Sequence, residues 1–242
     1  METLLLEYEY SVYLFMAKTT YQAGRYKDMY QCVYQLFIRE ENYSDELIFL
    51  FELCFKNVIN PLRLTLRKLR YITAEGNLAN EEQKIINQMM HKTHRKLIKY
   101  LMLKDTIDFK IENITEIEKS TFVFLKRVKA DFLRYSAENT TGDIKEKNTK
   151  EAVETYQLLH DYVLTKFKPV EHERLGVVLN YSVFLNEFVG NKEKAIEVSL
   201  QAYNETQNYL DMYNLELCDR SKKIDQIIQR NVFNWQNQFT TS

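Results

Sequence analysis

Apolar residues recur along most of this chain at intervals of three and four, the spacing that places them on one face of an α-helix. Short polar stretches interrupt the pattern eight times, which predicts nine helices. The predicted interruptions are residues 23–28, 39–46, 73–82, 107–116, 138–150, 166–173, 189–194 and 211–218. Only five Gly and two Pro occur in 242 residues, too few for the turns of an all-β or doubly wound fold. The predicted fold class is therefore all-α.

Pro61 lies inside the apolar segment 51–70, where a helix is otherwise expected. A proline within a helix removes an amide donor and clashes with the carbonyl four residues earlier, at a cost of about 3 kcal/mol. We therefore expect either a kink near residues 57–61 or a break between two shorter helices.

The same segment carries three cations, Lys56, Arg63 and Arg67, at spacings of seven and four residues. At about 100° per residue, their side chains point within roughly 20° of one mean direction. An apolar face lies beside this stripe and consists of Phe55, Ile59, Leu62, Leu66 and Leu69. A solvated helix face would explain the stripe, and so would a binding site for an anion.

A second amphipathic segment, residues 122–138, favours the anion site. Arg127 and Arg134 are seven residues apart and share a face, while Asp131 lies one turn before Arg134 and can orient its guanidinium. Two such helices could face a common groove and hold one dianion. Phosphoserine and phosphothreonine fit, because their charge and three acceptor oxygens match arginine forks, a lysine and a tyrosine hydroxyl.

Two later segments carry polar groups among apolar ones. The first aligns Gly176, Asn180, Val183 and Glu187, and the second aligns Ile224, Ile227 or Ile228, Asn231 and Trp235. A peptide backbone could bond to Asn180 and Glu187, although bonds to neighbouring helices would satisfy the same groups. Trp235 is the only tryptophan, typically a core anchor, and Glu187 is a candidate acceptor for its indole N–H.

Composition excludes several classes of function. The 33 basic and 34 acidic residues give a net charge of −1, so no global field favours nucleic acid as a partner. No stretch approaches the roughly 20 uninterrupted apolar residues that a membrane span requires, so we predict no membrane insertion. The three cysteines, with no CxxC spacing, are predicted to be reduced core thiols of a cytosolic protein: Cys32, Cys54 and Cys218.

A catalytic or metal site has few candidate residues. His91 and His94 are three residues apart, but no acid or cysteine beside them completes a ligand set, and the surrounding cations would repel a metal. No glycine-rich phosphate loop and no nucleophile with a recognisable base is present. We therefore predict no enzyme, no metal and no cofactor.

Four segments together resemble the signature regions of the 14-3-3 family, in the right order and separation: residues 51–67, 126–138, 174–187 and 231–235. The resemblance implies nine antiparallel helices in an L- or cup-shaped protomer with an amphipathic groove. It implies a single domain over residues 1–242, in which residues 1–77 carry the dimer face and half of the phosphate pocket, and residues 80–242 line the groove. The implied function is that of a cytoplasmic or nuclear adaptor, a homodimer or heterodimer that binds phosphoserine or phosphothreonine clients.

The resemblance also assigns residues by position. It implies that the phosphate is bound by Lys56, Arg63, Arg134 and Tyr135. It implies a peptide groove formed by Asn180, Asn231, Glu187, Trp235, Leu179, Val183, Ile224 and Ile227. It implies that Arg25 and Asp28 form salt bridges at the dimer interface.

Several positions depart from the family pattern. The family has small residues where this chain has Asn60 and Pro61. It usually has an acid at the position of Arg230 and an apolar residue at the position of Asn234. At the dimer face, Val12 and Thr19 stand where a Glu and a Leu are usual. The alternative function is a tetratricopeptide-like helical scaffold that binds unphosphorylated peptides, since two segments resemble the helix pairs of such repeats without sustaining their period of about 34 residues.

Overall fold

A computed structural model describes residues 10–40, 43–76, 78–101, 103–113 and 118–237. Helices account for almost all of these residues. They are α1 (Tyr10–Gln22), α2 (Tyr26–Arg39), α3 (Asp45–Cys54), α4 (Asn60–Ala74), α5 (Asn80–Leu101), α6 (Leu103–Asn113), α7 (Lys119–Glu138), α8 (Gly142–Lys166), α9 (His172–Phe184), α10 (Lys192–Tyr213) and α11 (Asp219–Asn237). Two π-helical turns complete the set, a first π turn at Phe55–Ile59 and a second π turn at Leu185–Val189.

Several of these segments are continuous with one another. The first π turn joins α3 to α4, and the second π turn extends α9; α5 and α6 lie on either side of residue 102, which is outside the described residues, and are counted as one element. Counted in this way, the described ranges form nine helices and contain no β-strand. The predicted all-α fold with nine helices is confirmed.

The predicted interruptions are correct at six places and need correction at two. Periodicity predicts a break over 107–116, but α6 continues to Asn113. It predicts a loop over 138–150, but α8 begins at Gly142. The first turns of α8 are largely exposed, so apolar periodicity is absent there, while lysine and glutamate still favour the helix.

The chain divides into two compact units, Met1–Thr121 and Phe122–Ser242. In the first unit, α1, α2 and α3 pack together around aromatic rings, with ring centroids of Phe37 and Tyr43 5.1 Å apart and those of Phe37 and Phe51 5.3 Å apart. Ser44 caps α3 by accepting a hydrogen bond from the amide of Leu47, as its position before two acids indicates.

The second unit has its core among α8, α9, α10 and α11. Tyr156 and Phe184 are fully buried there and stack at a centroid distance of 4.8 Å. Arg174, also buried, donates 3.0 Å to the carbonyl of Phe167 and forms an ion pair with Glu205. This packing fixes α9 and α11, which carry the predicted groove residues.

The cysteines divide into two environments. Cys32 and Cys54 are buried, as predicted, but Cys218 is exposed. The prediction of a core thiol is therefore wrong at Cys218, because this residue lies in the turn before α11.

Candidate functional site

The first π turn determines how Lys56 and Pro61 are placed. The amide of Asn60 donates to the carbonyl of Phe55, five residues earlier, in place of the α-helical partner at Lys56. Pro61 then falls in the first turn of α4, where a missing amide costs little. The expected irregularity is therefore present as a π turn without a break, and α-helical spacing alone no longer aligns Lys56 with Arg63.

Arg63 is oriented by a residue of its own helix. Its Nη1 donates 3.1 Å to Oδ1 of Asn60, three residues earlier. Arg63 is half-buried, whereas Lys56 and Arg67 are exposed. Asn60, one of the departures from the family pattern, thus positions a predicted phosphate ligand, a role that sequence reasoning does not assign to it.

Arg134 in the second unit lies in a buried hydrogen-bonded cluster. Its Nη2 donates 3.0 Å to Oδ1 of Asp131 and 3.1 Å to the hydroxyl of Tyr135. The hydroxyl of Tyr156 donates 2.7 Å to the same Asp131 oxygen. The prediction that Asp131 orients this guanidinium is confirmed, while Tyr156, 25 residues from Asp131, has no sequence signal that would have revealed it.

The charges in this cluster keep defined protonation states. Burial and the nearby Asp131 carboxylate raise the pKa of Tyr156, so its hydroxyl remains a donor. The guanidinium carbon of Arg134 lies 4.9 Å from the ring centroid of Tyr135, within the range of a cation–π contact. Nε of Arg134 is buried and has no hydrogen-bond partner in the described part of the chain.

The predicted groove residues lie on two helices that pack against each other, α9 and α11. Six of them are half-buried: Leu179, Asn180, Val183, Ile224, Ile227 and Asn231. Leu179, Val183 and Ile224 contact the core cluster that includes buried Trp235. The structure therefore brings apolar and amide side chains together on one pair of helices.

Glu187 requires a correction to its predicted alignment. Alpha-helical spacing predicts that it shares one face with Asn180 and Val183, but it lies in the second π turn and is exposed. A π turn changes the angle between successive side chains, so the four-residue step from Val183 does not hold there.

The predicted dimer residues pair within one chain. Nη2 of Arg25 lies 2.5 Å from Oδ2 of Asp28, in the turn that leads into α2. Of the two departures on α1, Val12 is half-buried and Thr19 is exposed.

The residues that the structure describes contain no group of three or more metal-binding side chains. No described helix combines the length and apolarity needed to cross a membrane.

Comparison with known proteins identifies the fold. A sequence model of the family described as 14-3-3 protein matches residues 16–236. The chain belongs to the 14-3-3 family. It is 28% identical over 223 residues to 14-3-3 protein beta/alpha-A of Xenopus laevis, and the match covers 90% of each chain. It is also 28% identical over 221 residues to 14-3-3 protein theta of Gallus gallus and of Homo sapiens, covering 90% of this chain and 89% of theirs.

At this identity the chain is a divergent 14-3-3 protein. Membership supports a role as a client-binding adaptor and does not favour the tetratricopeptide-like alternative.

Proposed function

We propose that this 14-3-3 protein binds client segments that carry phosphoserine or phosphothreonine, and that Lys56, Arg63, Arg134 and Tyr135 bind the phosphate. Its action has no chemical step. Asn180 and Asn231 bind the client backbone, and Leu179, Val183, Ile224 and Ile227 contact its apolar side chains, with Glu187 and Trp235 in support.

Arg134 carries this proposal. A buried guanidinium is costly unless it is paired, and within the described chain Asp131 and Tyr135 supply partners for only one of its terminal nitrogens. A phosphate oxygen at the other terminal nitrogen would provide an acceptor of the right charge, and a charge-assisted bond of this kind contributes about 1.5–3 kcal/mol.

Peptide titration tests the proposal. A fluorescent peptide of the form Arg-Ser-x-Ser-x-Pro, phosphorylated on its second serine, is compared with its unphosphorylated twin by anisotropy at two salt concentrations. We expect binding of the phosphorylated peptide only, weaker at the higher salt concentration because the contacts are ionic. Equal binding of both peptides, or of neither, would contradict the proposal.

Two variants of α4 form a matched pair for the same titration. Arg63→Glu reverses a proposed phosphate ligand, whereas Lys68→Glu makes the same charge change at an exposed position on another face of the helix. We expect a loss of at least about tenfold in affinity for Arg63→Glu and little change for Lys68→Glu. Circular dichroism confirms that both variants keep their helices.

Arg134 needs a gentler substitution, because a glutamate there would lie beside Asp131. Arg134→Lys keeps the charge and loses the fork, so weaker phosphopeptide binding is expected. A double-mutant cycle with Arg63→Lys then tests whether both arginines act on one phosphate, since independent sites give additive effects.

We also propose that the protein acts as a dimer, with itself or with another 14-3-3 chain, and that Arg25 and Asp28 contribute to that interface. The proposed location is the cytoplasm or the nucleus. A dimer offers two phosphopeptide sites, so a doubly phosphorylated client binds more tightly than a singly phosphorylated one. Sedimentation velocity of the wild type and of Arg25→Glu measures this association, and a monomeric wild type would contradict it.

A further inference from the structure

Phe49 is the exposed exception on a helix that otherwise buries its apolar residues. The buried ones in α3 are Leu47, Ile48, Leu50, Phe51, Leu53 and Cys54. Phe49 is 55% exposed, so more than half of its ring surface remains in water. A single exposed apolar side chain is common on soluble proteins, and only its surroundings can indicate a role.

Phe49 points in the same direction as Lys56, a proposed phosphate ligand. The two residues are seven apart, which at about 100° per residue brings them within roughly 20° of each other. Phe55 keeps α-helical backbone angles, and its amide donates to the carbonyl of Phe51, so the regular spacing holds as far as Lys56. Lys56 is exposed as well. An aromatic ring and an ammonium group therefore lie along one stripe of the helix.

The two ends of this stripe differ in charge. Lys56 lies at the end that leads to Arg63, whereas α3 itself contains three acids and no Lys or Arg. Two of these acids, Glu46 and Glu52, are three residues to either side of Phe49, a spacing that makes them its neighbours on the helix surface. A phosphate or an acidic side chain is therefore disfavoured at Phe49. An apolar group is the ligand that fits there.

The length of the stripe sets the spacing of the two groups in a ligand. Seven residues of helix rise about 10 Å between Phe49 and Lys56. An extended peptide advances about 3.3 Å per residue, so three of its residues cover the same length. A client that places its phosphate at Lys56 and runs along α3 thus brings the third residue from the phosphoresidue over Phe49.

We propose that Phe49 selects clients by an apolar residue three positions from the phosphoserine or phosphothreonine. The aromatic or large aliphatic side chain of the client packs on the ring of Phe49, and both surfaces leave water. This role rests on the proposed function, because it takes Lys56 as a phosphate ligand. It adds a second requirement on the sequence of the client.

A peptide series tests this selection with the full-length protein. The titration peptide is extended to five positions on either side of its phosphoserine, and phenylalanine is compared with alanine at each position in turn. We expect phenylalanine to bind about tenfold more tightly than alanine at one position, three residues from the phosphoserine, and to change affinity little elsewhere. This ratio should be equal at low and high salt, because an apolar contact is not screened. A series without any preferred position would overturn the proposal.

A matched pair of variants assigns the preference to Phe49. Phe49→Ala removes the ring from α3, and Phe109→Ala makes the same change at a 64% exposed position of α6. We expect the tenfold preference to disappear in Phe49→Ala and to remain in Phe109→Ala. Circular dichroism confirms that both variants keep their helices. A preference that persists in Phe49→Ala would overturn the assignment.

Phe49→Glu provides a test that a purely structural role would not pass. An acid at this position should reverse the selection, so that lysine at the third residue of the client binds roughly twofold to fivefold more tightly than phenylalanine. The same order of preference as in the wild type would contradict direct contact.

The reference peptides separate this proposal from the proposed function. If the alanine peptides bind only when they are phosphorylated, and phenylalanine adds nothing at any position, the role of Phe49 is wrong and phosphopeptide binding stands. If phosphorylation makes no difference to any peptide of the series, both are wrong.

Discussion

Arg134 and the exposed lysines of α5 are cations in opposite settings. The side chain of Arg134 is 11% exposed and is held by Asp131, which also accepts a bond from Tyr156. The lysines of α5, which are Lys84, Lys92, Lys96 and Lys99, are exposed and have no acidic partner among the described residues. Burial makes an unpaired charge costly, so partners are provided within the fold, whereas water screens the exposed cations and leaves them available.

Removal of the buried partner should have the largest effect. Asp131→Ala leaves Arg134 as a buried charge without its acid, so we expect the free energy of unfolding to fall by about 3–5 kcal/mol. Glu197→Ala, which removes an exposed partner of Lys194, should cost less than about 0.5 kcal/mol. Urea unfolding followed by circular dichroism measures both. Equal losses of stability in the two variants would contradict the claim that burial makes the partner of Arg134 more important than that of an exposed lysine.

Asp225 is a buried acid that lacks the pairing seen at Asp131. Oδ2 of Asp225 accepts a hydrogen bond of 2.7 Å from the side-chain amide of Gln229, while its Oδ1 is buried and has no partner among the described residues. Burial raises the pKa of Asp225, so the folded carboxyl keeps its proton to higher pH than the unfolded one. The stability that this proton provides is complete below the ordinary carboxyl pKa of about 4 and is lost as pH rises through the folded value.

Asp225→Asn should therefore stabilise the protein at neutral pH. We expect the free energy of unfolding to rise by about 1 kcal/mol at pH 7, because a buried charge is replaced by a neutral amide. The advantage over the wild type should shrink as pH approaches about 4. Unfolding curves across this range measure the difference, and an advantage independent of pH would contradict the explanation.

Asn60 provides a smaller effect, on binding. Asn60→Ala removes the acceptor that orients Arg63, so phosphopeptide affinity should fall roughly two- to tenfold, or about 0.5–1.5 kcal/mol. Thr65→Ala is the control, because Thr65 bonds to the carbonyl of Pro61 and not to Arg63. Anisotropy titration measures both, and unchanged affinity in Asn60→Ala would show that Arg63 does not need this orientation.

The smallest effect is expected at the exposed lysines of α5. Lys92→Glu removes repulsion and places an acid four residues before Lys96, the preferred order for a helical ion pair. We expect stability to rise by about 0.5 kcal/mol, and by less for Lys92→Gln. Thermal unfolding tests the order of the two variants. Destabilisation by Lys92→Glu would show that the exposed cations have structural partners after all.

Much of the fold could be predicted because apolar periodicity directly reports which helix face is buried. The periodicity fails where a helix has no buried face, and for this reason the first turns of α8 resemble a loop in the sequence. Proline at position 61 predicts an irregular helix, but its π-helical form depends on backbone bonds that residue types do not specify. The second π turn contains no proline and has no sequence signal.

The candidate site is predictable where its contacts are local. Asp131 and Arg134 are three residues apart, so helical spacing alone predicts their contact. Tyr156 reaches Asp131 from α8, and only tertiary packing could reveal that bond. Asn60 is also within one turn of Arg63. Because it departs from the expected family pattern, the sequence predicts that it disturbs the pocket and does not predict that it positions Arg63.

The first π turn affects how related sequences are aligned. A helix with such a turn contains one residue more than a regular α-helix of the same length. The step of about 100° per residue therefore cannot be counted across the turn to decide which side chains share a face. Deletion of one residue within Phe55–Ile59 would convert the π turn into an α-helical turn and leave α4 at nearly the same rotation relative to α3, because the π turn absorbs the extra residue. A single-residue gap at this point of an alignment therefore represents the absence of the π turn, and it changes neither a loop nor the direction in which Arg63 points.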